Sequence, residues 1–399
     1  MKKTKNTKGF NLITVIIIIC VTSFVSAITS GVIITNNNKN AEGVNYGTLI
    51  KDEKIKEFLD VYANILNNYY EDIDKEKMID SAMDAMLNYL GDSYTTYMNK
   101  EEKEALAEKL EGTYKGVGIS ILEKVIKSVA KSSPAEKAGI LAGDIILKIN
   151  DIDTTNLSDS AIAALIKGKD NTNVTIKVKR EEKELEFKMK TAVLFTDSVT
   201  YKMIEETNIG YLNISIFSNT VSEQVKVALD DLQGKGMEKL IIDVRDDTGG
   251  YLEGAENIAN QFLKKDKLIY SLEDKNGTTK YYDKTDEEKE IPIVILMNGN
   301  SASASEILAA ALKDSYGATL IGTKSYGKGK VQQTYKLNGG GMAKYTSAKW
   351  LRPTGECIDG IGLIPDIKVE IEYTRDELDN ITGMVDTQLN KAIEFLSTK

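Results

Sequence analysis

Ile291-Pro292-Ile293-Val294-Ile295-Leu296-Met297-Asn298-Gly299-Asn300-Ser301-Ala302-Ser303-Ala304-Ser305-Glu306-Ile307-Leu308-Ala309-Ala310-Ala311-Leu312-Lys313 is the stretch that decides the fold. Its apolar run is continuous rather than alternating, which reads as a strand buried on both faces. Small polar residues follow, and Ser303 with Glu306 three positions on forms a capping-box pattern ahead of a helix. Strand, turn and helix in that order are one unit of an α/β domain. Outward from it, Ile209 to Ile214, Lys239 to Val244 and Ala318 to Gly322 read as further strands. Ser222 to Leu232 and Gly254 to Phe262 read as further helices, so residues 191–370 make one α/β domain.

Three loops of this domain carry candidate chemistry. Asp243-Val244-Arg245-Asp246-Asp247-Thr248-Gly249-Gly250 leaves a buried strand and ends in paired glycines, which can turn backbone N–H groups toward an anion or simply make a tight turn. The turn Asn298 to Glu306 presents three serines at a helix start, where the first amides face any oxyanion formed there. Spacing leaves the choice among Ser301, Ser303 and Ser305 open, and a plain helix cap is the bland alternative. The third loop is Gly322-Thr323-Lys324-Ser325-Tyr326-Gly327-Lys328-Gly329-Lys330. It spells the first part of a nucleotide-binding P-loop, but Gly329 stands where a hydroxyl for Mg²⁺ is required, and the strand-like Val331 to Tyr335 follows instead of a helix. A lysine between two glycines can instead be buried, and a buried lysine loses basicity toward that of a general base.

Composition narrows the chemistry. The chain has 399 residues, no histidine and two cysteines, which excludes His-based triads, HExxH zinc sites and Cys₄ zinc sites. A serine nucleophile here needs a lysine base, and one of each lies on neighbouring strand ends. A net charge of −9 with no basic stripe argues against nucleic acid as a partner.

The remaining segments read as follows. Lys2, Lys3, Lys5 and Lys8 precede an uncharged run over residues 10–34, which predicts a membrane anchor over residues 1–40 with the following chain exported. A signal peptide cut after Val25-Ser26-Ala27 is the alternative. Cys20 falls in that run, so the exported part keeps only Cys357 and no internal disulfide. Residues 41–110 show three-to-four apolar spacing, as in Ile55, Phe58, Leu59 and Tyr62, and predict helices. Residues 111–190 switch to short β runs (Gly116 to Leu122, Val125 to Val129, Asp144 to Ile149, Val174 to Val178, Leu185 to Met189) with one helix near Ser158 to Ile166. Residues 371–399 read as one or two polar amphipathic helices.

The Ser301 to Glu306 run, Tyr326-Gly327-Lys328-Gly329 with Gln332 beyond it, the Asp243 to Gly250 loop and Gly360-Ile361-Gly362-Leu363-Ile364-Pro365-Asp366 together resemble the C-terminal processing peptidases, tail-specific serine peptidases of Ser-Lys type. The likeness runs from Phe58 to about Val369 in matching order. It implies a crotonase-like α/β core with an inserted PDZ domain, Ser303 as nucleophile and Lys328 as its base, oriented by Gln332. It further implies an oxyanion hole from Ala304 and Gly249 or Gly250, with Asp314 and Glu306 in support. Tyr114-Lys115-Gly116-Val117-Gly118-Ile119 resembles a PDZ carboxylate loop, and Ser133-Pro134-Ala135 to Gly143-Asp144 is its strongest signature. Gly116, Val117, Gly118 and Ile119 would then hold a substrate's C-terminus. The implied protein is a membrane-anchored, extracytoplasmic endopeptidase acting on protein tails. It needs no metal or cofactor and forms a homodimer by analogy with relatives; an inactive PDZ scaffold is the rival. Two departures stand out: Asp247-Thr248 replaces the common Asn-Pro of the glycine loop, and Ile119 to Val125 is short for the first PDZ hairpin.

Overall fold

The computed structural model describes residues 46–167, 170–375 and 381–399. The described residues divide into two compact units, the first ending at Ile79 and the second beginning at Asp80. In the first lie α1 (Tyr46–Leu49) and α2 (Glu53–Asn68), the latter started by Asp52, whose carboxylate accepts the Lys54 and Ile55 amides. Helix α3 (Lys75–Asn88) crosses from the first unit into the second. The anchor expected over residues 10–34 lies outside the described residues. Among those described, no helix is long and apolar enough to cross a membrane.

The second unit opens with β1 (Thr96–Met98) and α4 (Lys100–Glu111), whose start is an Asn99–Glu102 capping box. Strand β1 corrects the expectation that residues 41–110 are all helical. Thr96 and Tyr97 are good strand formers, and their pairing partner lies far along the chain, beyond the reach of any local period.

A small β domain follows: β2 (Thr113–Gly116), β3 (Ile119–Leu122), β4 (Val125–Val129), α5 (Pro134–Ala138), β5 (Ile145–Ile149), β6 (Ile152–Asp153), α6 (Asp159–Ile166), β7 (Asn173–Arg180), β8 (Lys183–Lys190) and β9 (Ala192–Phe195). Its sheet runs β3-β4-β5-β7-β8 with β6 beside β5, while β2 pairs with β9. Ile126, Ile140, Ile146, Ile149, Ile162 and Ile176 fill its core. The strand expected over Gly116 to Leu122 is divided, because Gly118 adopts φ +88° and its Cα lies against Ser133, where a Cβ would meet the Ser133 Cβ at 2.3 Å. Strand β3 is therefore an open edge facing α6.

The α/β domain contributes β10 (Val199–Met203), β11 (Ile209–Ile214), α7 (Val221–Gly234), β12 (Lys239–Asp243), α8 (Leu252–Ala259), β13 (Leu268–Asp274), β14 (Gly277–Tyr282), β15 (Ile293–Met297), α9 (Ala304–Ala311), β16 (Thr319–Gly322), β17 (Lys330–Lys336), β18 (Met342–Leu351), β19 (Ile367–Lys368), β20 (Glu372–Arg375), β21 (Ile381–Val385) and α10 (Thr387–Ser397). The main sheet runs β10-β11-β12-β15-β16-β19, parallel from β11 onward. Helices α7, α8 and α9 cover one face with Leu240, Ile242, Ile295 and Leu320. Helix α10 covers the other with Ile241, Val294, Leu296, Ala392 and Leu396. Cover on both faces explains the continuous apolar reading of β12 and β15. Arg245, at the end of β12, pairs with Asp243 at 2.6 Å and with Asp386 at the start of α10 at 2.7 Å.

A second, antiparallel sheet runs β1-β18-β13-β14 with β17 beside β18. Its β13, β14 and β18 escape the sequence reading because their stability comes from distant pairs such as Ser271 with Leu351. The tail is also corrected: β20 and β21 form an antiparallel hairpin before the single helix α10, each strand supplying the other's ladder.

Candidate active site

The turn after β15 separates its three serines by geometry. Ser301 is buried, donates to the Val244 carbonyl at 2.7 Å and accepts the Asn298 amide. Ser305 is buried and donates to the Asp247 carbonyl at 2.9 Å. Ser303 is partly exposed, and its hydroxyl donates to none of the described groups. It also sits at φ +60°, ψ −116°, a backbone conformation costing a non-glycine residue about 1–3 kcal/mol. The capping box expected from the sequence forms, the Glu306 carboxylate accepting the Ser303 amide at 2.9 Å. Ala304 supplies the first amide of α9, which has no intrahelical acceptor.

Glu306 does more than cap its helix. The oxygen that accepts the Ser303 amide also accepts the Lys328 amide at 2.9 Å. The other oxygen accepts the Gly327 amide at 2.7 Å and the Ser325 hydroxyl. One fully buried carboxyl therefore joins the loop after β15 to the loop after β16. Burial pushes its affinity for a proton up, and the four donors oppose that shift. Tyr326 adds a second tie, its amide donating to the Ser301 carbonyl at 3.0 Å.

Lys328 is fixed at its backbone by Trp350, whose indole N–H donates to the Lys328 carbonyl at 2.8 Å. Its amine lies 5.0 Å from the centre of the Tyr94 ring. Burial and then the positive charge of Lys344 lower its basicity, while Glu306 and Asp92 work against them. A partly buried, weakened amine and a partly exposed hydroxyl on a helix N-terminus, carried by loops that share Glu306, are groups suited to proton abstraction and acyl transfer.

The glycine loop packs directly on this turn. Gly249 (φ +95°) approaches so closely that a Cβ would stand 2.8 Å from the Ser303 Cβ and 3.0 Å from the Ala304 nitrogen. Its amide donates to the Asp247 carboxyl at 2.8 Å and so is engaged, whereas the Gly250 and Ala304 amides donate to none of the described groups. Asp246 accepts from both Asn298 and Asn300 side chains at 2.9 and 2.8 Å, stitching the same loops on the outside.

Two expected supporting residues are placed elsewhere. Gln332 donates to the hydroxyl of its cross-strand neighbour Thr346 at 3.3 Å rather than to Lys328, because a bulge between Val331 and Gln332 shifts the register. Asp314 takes the Arg352 guanidinium with both oxygens, at 2.6 and 2.8 Å, and braces the end of β18. The sequence reading missed Tyr94, Asp92 and Lys344. Asp92 gathers Lys330, Thr95 and Thr346; although burial opposes it, these bonds hold its carboxyl down at about 2. The β1 segment and the lysine loop are far apart in the chain, so no local signal joined them.

In the β domain, Gly116, Val117, Gly118 and Ile119 all line a groove of about 390 Å³ between β3 and α6, floored by Ile121, Ala163 and Ile166. Lys115 and Lys167 stand at its rim, both paired with Glu108 of α4. Among the described residues no group of three or more Cys, Asp and Glu side chains could hold a metal ion.

Three family models match the chain. Residues 208–369 match Peptidase family S41, residues 125–180 match the PDZ domain, and residues 22–102 match the Activating protease CtpB N-terminal domain. The Carboxy-terminal processing protease CtpA of Bacillus subtilis (strain 168) is 35% identical over 327 residues, covering 80% of this chain and 70% of that protein. A CtpA-like serine protease of Staphylococcus aureus (strain N315) is 33% identical over 356 residues, covering 88% and 71%. Among solved structures, an S41 protease from Bacteroides fragilis NCTC 9343 superposes with a TM-score of 0.52 at 17% identity, covering 83% of this chain and 98% of that one.

Proposed function

This chain belongs to peptidase family S41 and is a serine-type carboxy-terminal processing protease; on that premise we propose that Ser303 is its nucleophile and Lys328 its general base. The observation that carries the reading is the single Glu306 oxygen shared by the Ser303 and Lys328 amides, which holds the two residues together. Neutral Lys328 takes the Ser303 proton as the hydroxyl attacks the scissile carbonyl. The developing oxyanion is met by the Ala304 and Gly250 amides. Lys328 then returns the proton to the leaving amine, and water cleaves the acyl-enzyme.

This reading fixes a pH dependence. Only the neutral amine is a base, so kcat/KM rises with pH through the Lys328 titration, which burial and Lys344 set below the ordinary lysine value. Lys344→Met removes the like charge, raises the Lys328 affinity for a proton and moves the rising limb to higher pH. Steady-state hydrolysis of an unstructured reporter protein between pH 5 and 9 measures both. A parent profile without a rising limb, or a Lys328→Met variant as active as the parent, would defeat the lysine base.

The β domain is proposed to recruit the substrate's C-terminus, its peptide adding to edge strand β3 with the carboxylate at Gly116 to Ile119. A reporter ending in a carboxamide loses that charge, and its kcat/KM is expected to fall about tenfold, a charge-assisted hydrogen bond being worth roughly 1.5–3 kcal/mol. Equal rates for both reporters would remove carboxylate capture from the reading. The lysines before the apolar run over residues 10–34 further support a membrane-anchored, extracytoplasmic enzyme. Alkaline extraction decides it: the full chain stays with the membrane if anchored and is released if the run is a cleaved leader.

A further inference from the structure

Asp247 is a buried carboxyl that the mechanism above does not use. It is fully buried, and among the described residues one of its oxygens accepts the Gly249 amide at 2.8 Å while the other has no hydrogen-bond partner. Its backbone carbonyl accepts the Ala302 amide at 3.0 Å and the Ser305 hydroxyl at 2.9 Å, one residue before Ser303 and two after it. The residue is thus fastened to the serine turn from both sides while its side chain grips the glycine loop.

We propose, resting on the Ser303–Lys328 reading, that Asp247 is a positioning residue that works as the neutral acid. Its carboxyl fixes the Gly249 amide and so seats the glycine loop against Ser303. The charged form sets a poorly compensated anion in the loop whose Gly249 packs on Ser303 and Ala304, where acyl transfer builds negative charge. An isolated buried anion is costly, and a like charge near a developing oxyanion slows the reaction on the order of ten- to a hundredfold in a partly screened site.

The surroundings agree. Burial pushes the Asp247 carboxyl up to about 7, against the opposing Gly249 amide and Ser305 hydroxyl. The charge facing it is Lys109 at the end of α4, which favours the ionised form but leaves the net shift upward. Arg245 is turned away onto Asp243 and Asp386, Asp246 onto Asn298 and Asn300, and Glu306 onto the lysine loop. The parent enzyme therefore has two opposed titrations, a rising limb from Lys328 and a falling one from Asp247, and its optimum lies where they overlap.

The test compares Asp247→Asn and Asp247→Leu with the parent, by kcat and KM on the reporter and by thermal midpoint. Asparagine keeps an acceptor for the Gly249 amide but cannot ionise. The ratio of its kcat/KM to the parent's cancels the lysine limb and rises about tenfold or more from pH 5.5 to 8.5. Leucine removes the acceptor, so kcat falls at least tenfold at every pH with KM little changed, and asparagine restores what leucine loses. A carboxyl held above its unfolded value destabilises the fold as pH climbs from about 4 to 7, so the thermal midpoint of the asparagine variant gains on the parent's over that range. A ratio constant across pH 5.5–8.5, or leucine and asparagine variants with equal kcat, overturns the proposal. If the Ser303→Ala enzyme is inert while the ratio stays constant, Asp247 is refuted and the dyad stands; if Ser303→Ala remains active, the dyad itself falls.

Discussion

Ser303→Ala abolishes hydrolysis of an unstructured reporter, with kcat reduced by roughly 10⁴-fold or more, as removal of a peptidase nucleophile does. The size of the effect follows from three features of the residue. Its hydroxyl donates to none of the described groups, its backbone is held at φ +60°, and it directly precedes the amide that begins α9. Alanine occupies the same strained backbone, so folding survives and the loss falls on chemistry. The neighbouring serines provide the contrast. Ser301→Ala and Ser305→Ala each break a buried hydrogen bond and cost about 1–3 kcal/mol of stability while keeping turnover. Thermal denaturation beside product mapping by mass spectrometry separates the two patterns. Turnover that survives in Ser303→Ala but vanishes in Ser305→Ala would move the nucleophile to the other hydroxyl.

Glu306→Gln is expected to give the second largest effect, because it strikes both loops at once. The carboxyl offers acceptors on both oxygens, to Ser303 and Lys328 on one side and to Gly327 and Ser325 on the other. An amide has one acceptor end, and its NH₂ end faces donors it cannot satisfy. Leaving buried donors unmatched costs roughly 2–4 kcal/mol. The serine and lysine lose their common anchor, and a displacement near 1 Å is enough for a hundredfold fall in kcat. Glu306→Ala goes further by adding a cavity. A Gln variant that keeps kcat within threefold of the parent and melts at the parent's temperature would show that the two loops are held together by something else.

How far the sequence could be read depends on whether a signal was local. The strand–turn–helix around Ser303 was legible because continuous apolar residues and a capping pair sit within one window. The small β domain was legible through its Ser133 to Asp144 run for the same reason. Half of Glu306 was visible, since Ser303 is three residues away; its hold on Lys328 spans a distance that no periodicity covers. The second sheet was illegible because strands such as β18 become strands through partners far along the chain. Gln332 was misplaced by a single-residue bulge, which sends its side chain to Thr346. Asp247 was legible only as an irregularity, because its engagement of the Gly249 amide is set by the turn's backbone and by burial, which no residue pattern announces.

The wall of the lysine pocket comes from an early part of the chain. Asp92 and Tyr94 precede Lys328 and Lys330 by more than two hundred residues, yet Tyr94 lies over both amines and Asp92 holds Lys330 and Thr346. A polypeptide made in order from its amino end carries these residues long before their partners exist. Contacts so far apart in the chain slow folding, because the entropy of closing the loop is lost before the contacts repay it. On the Ser303–Lys328 reading, the reactive site is therefore incomplete while the chain is being made, since the lysine loop meets Tyr94 and Asp92 only after nearly all of it exists and has folded back on its own beginning.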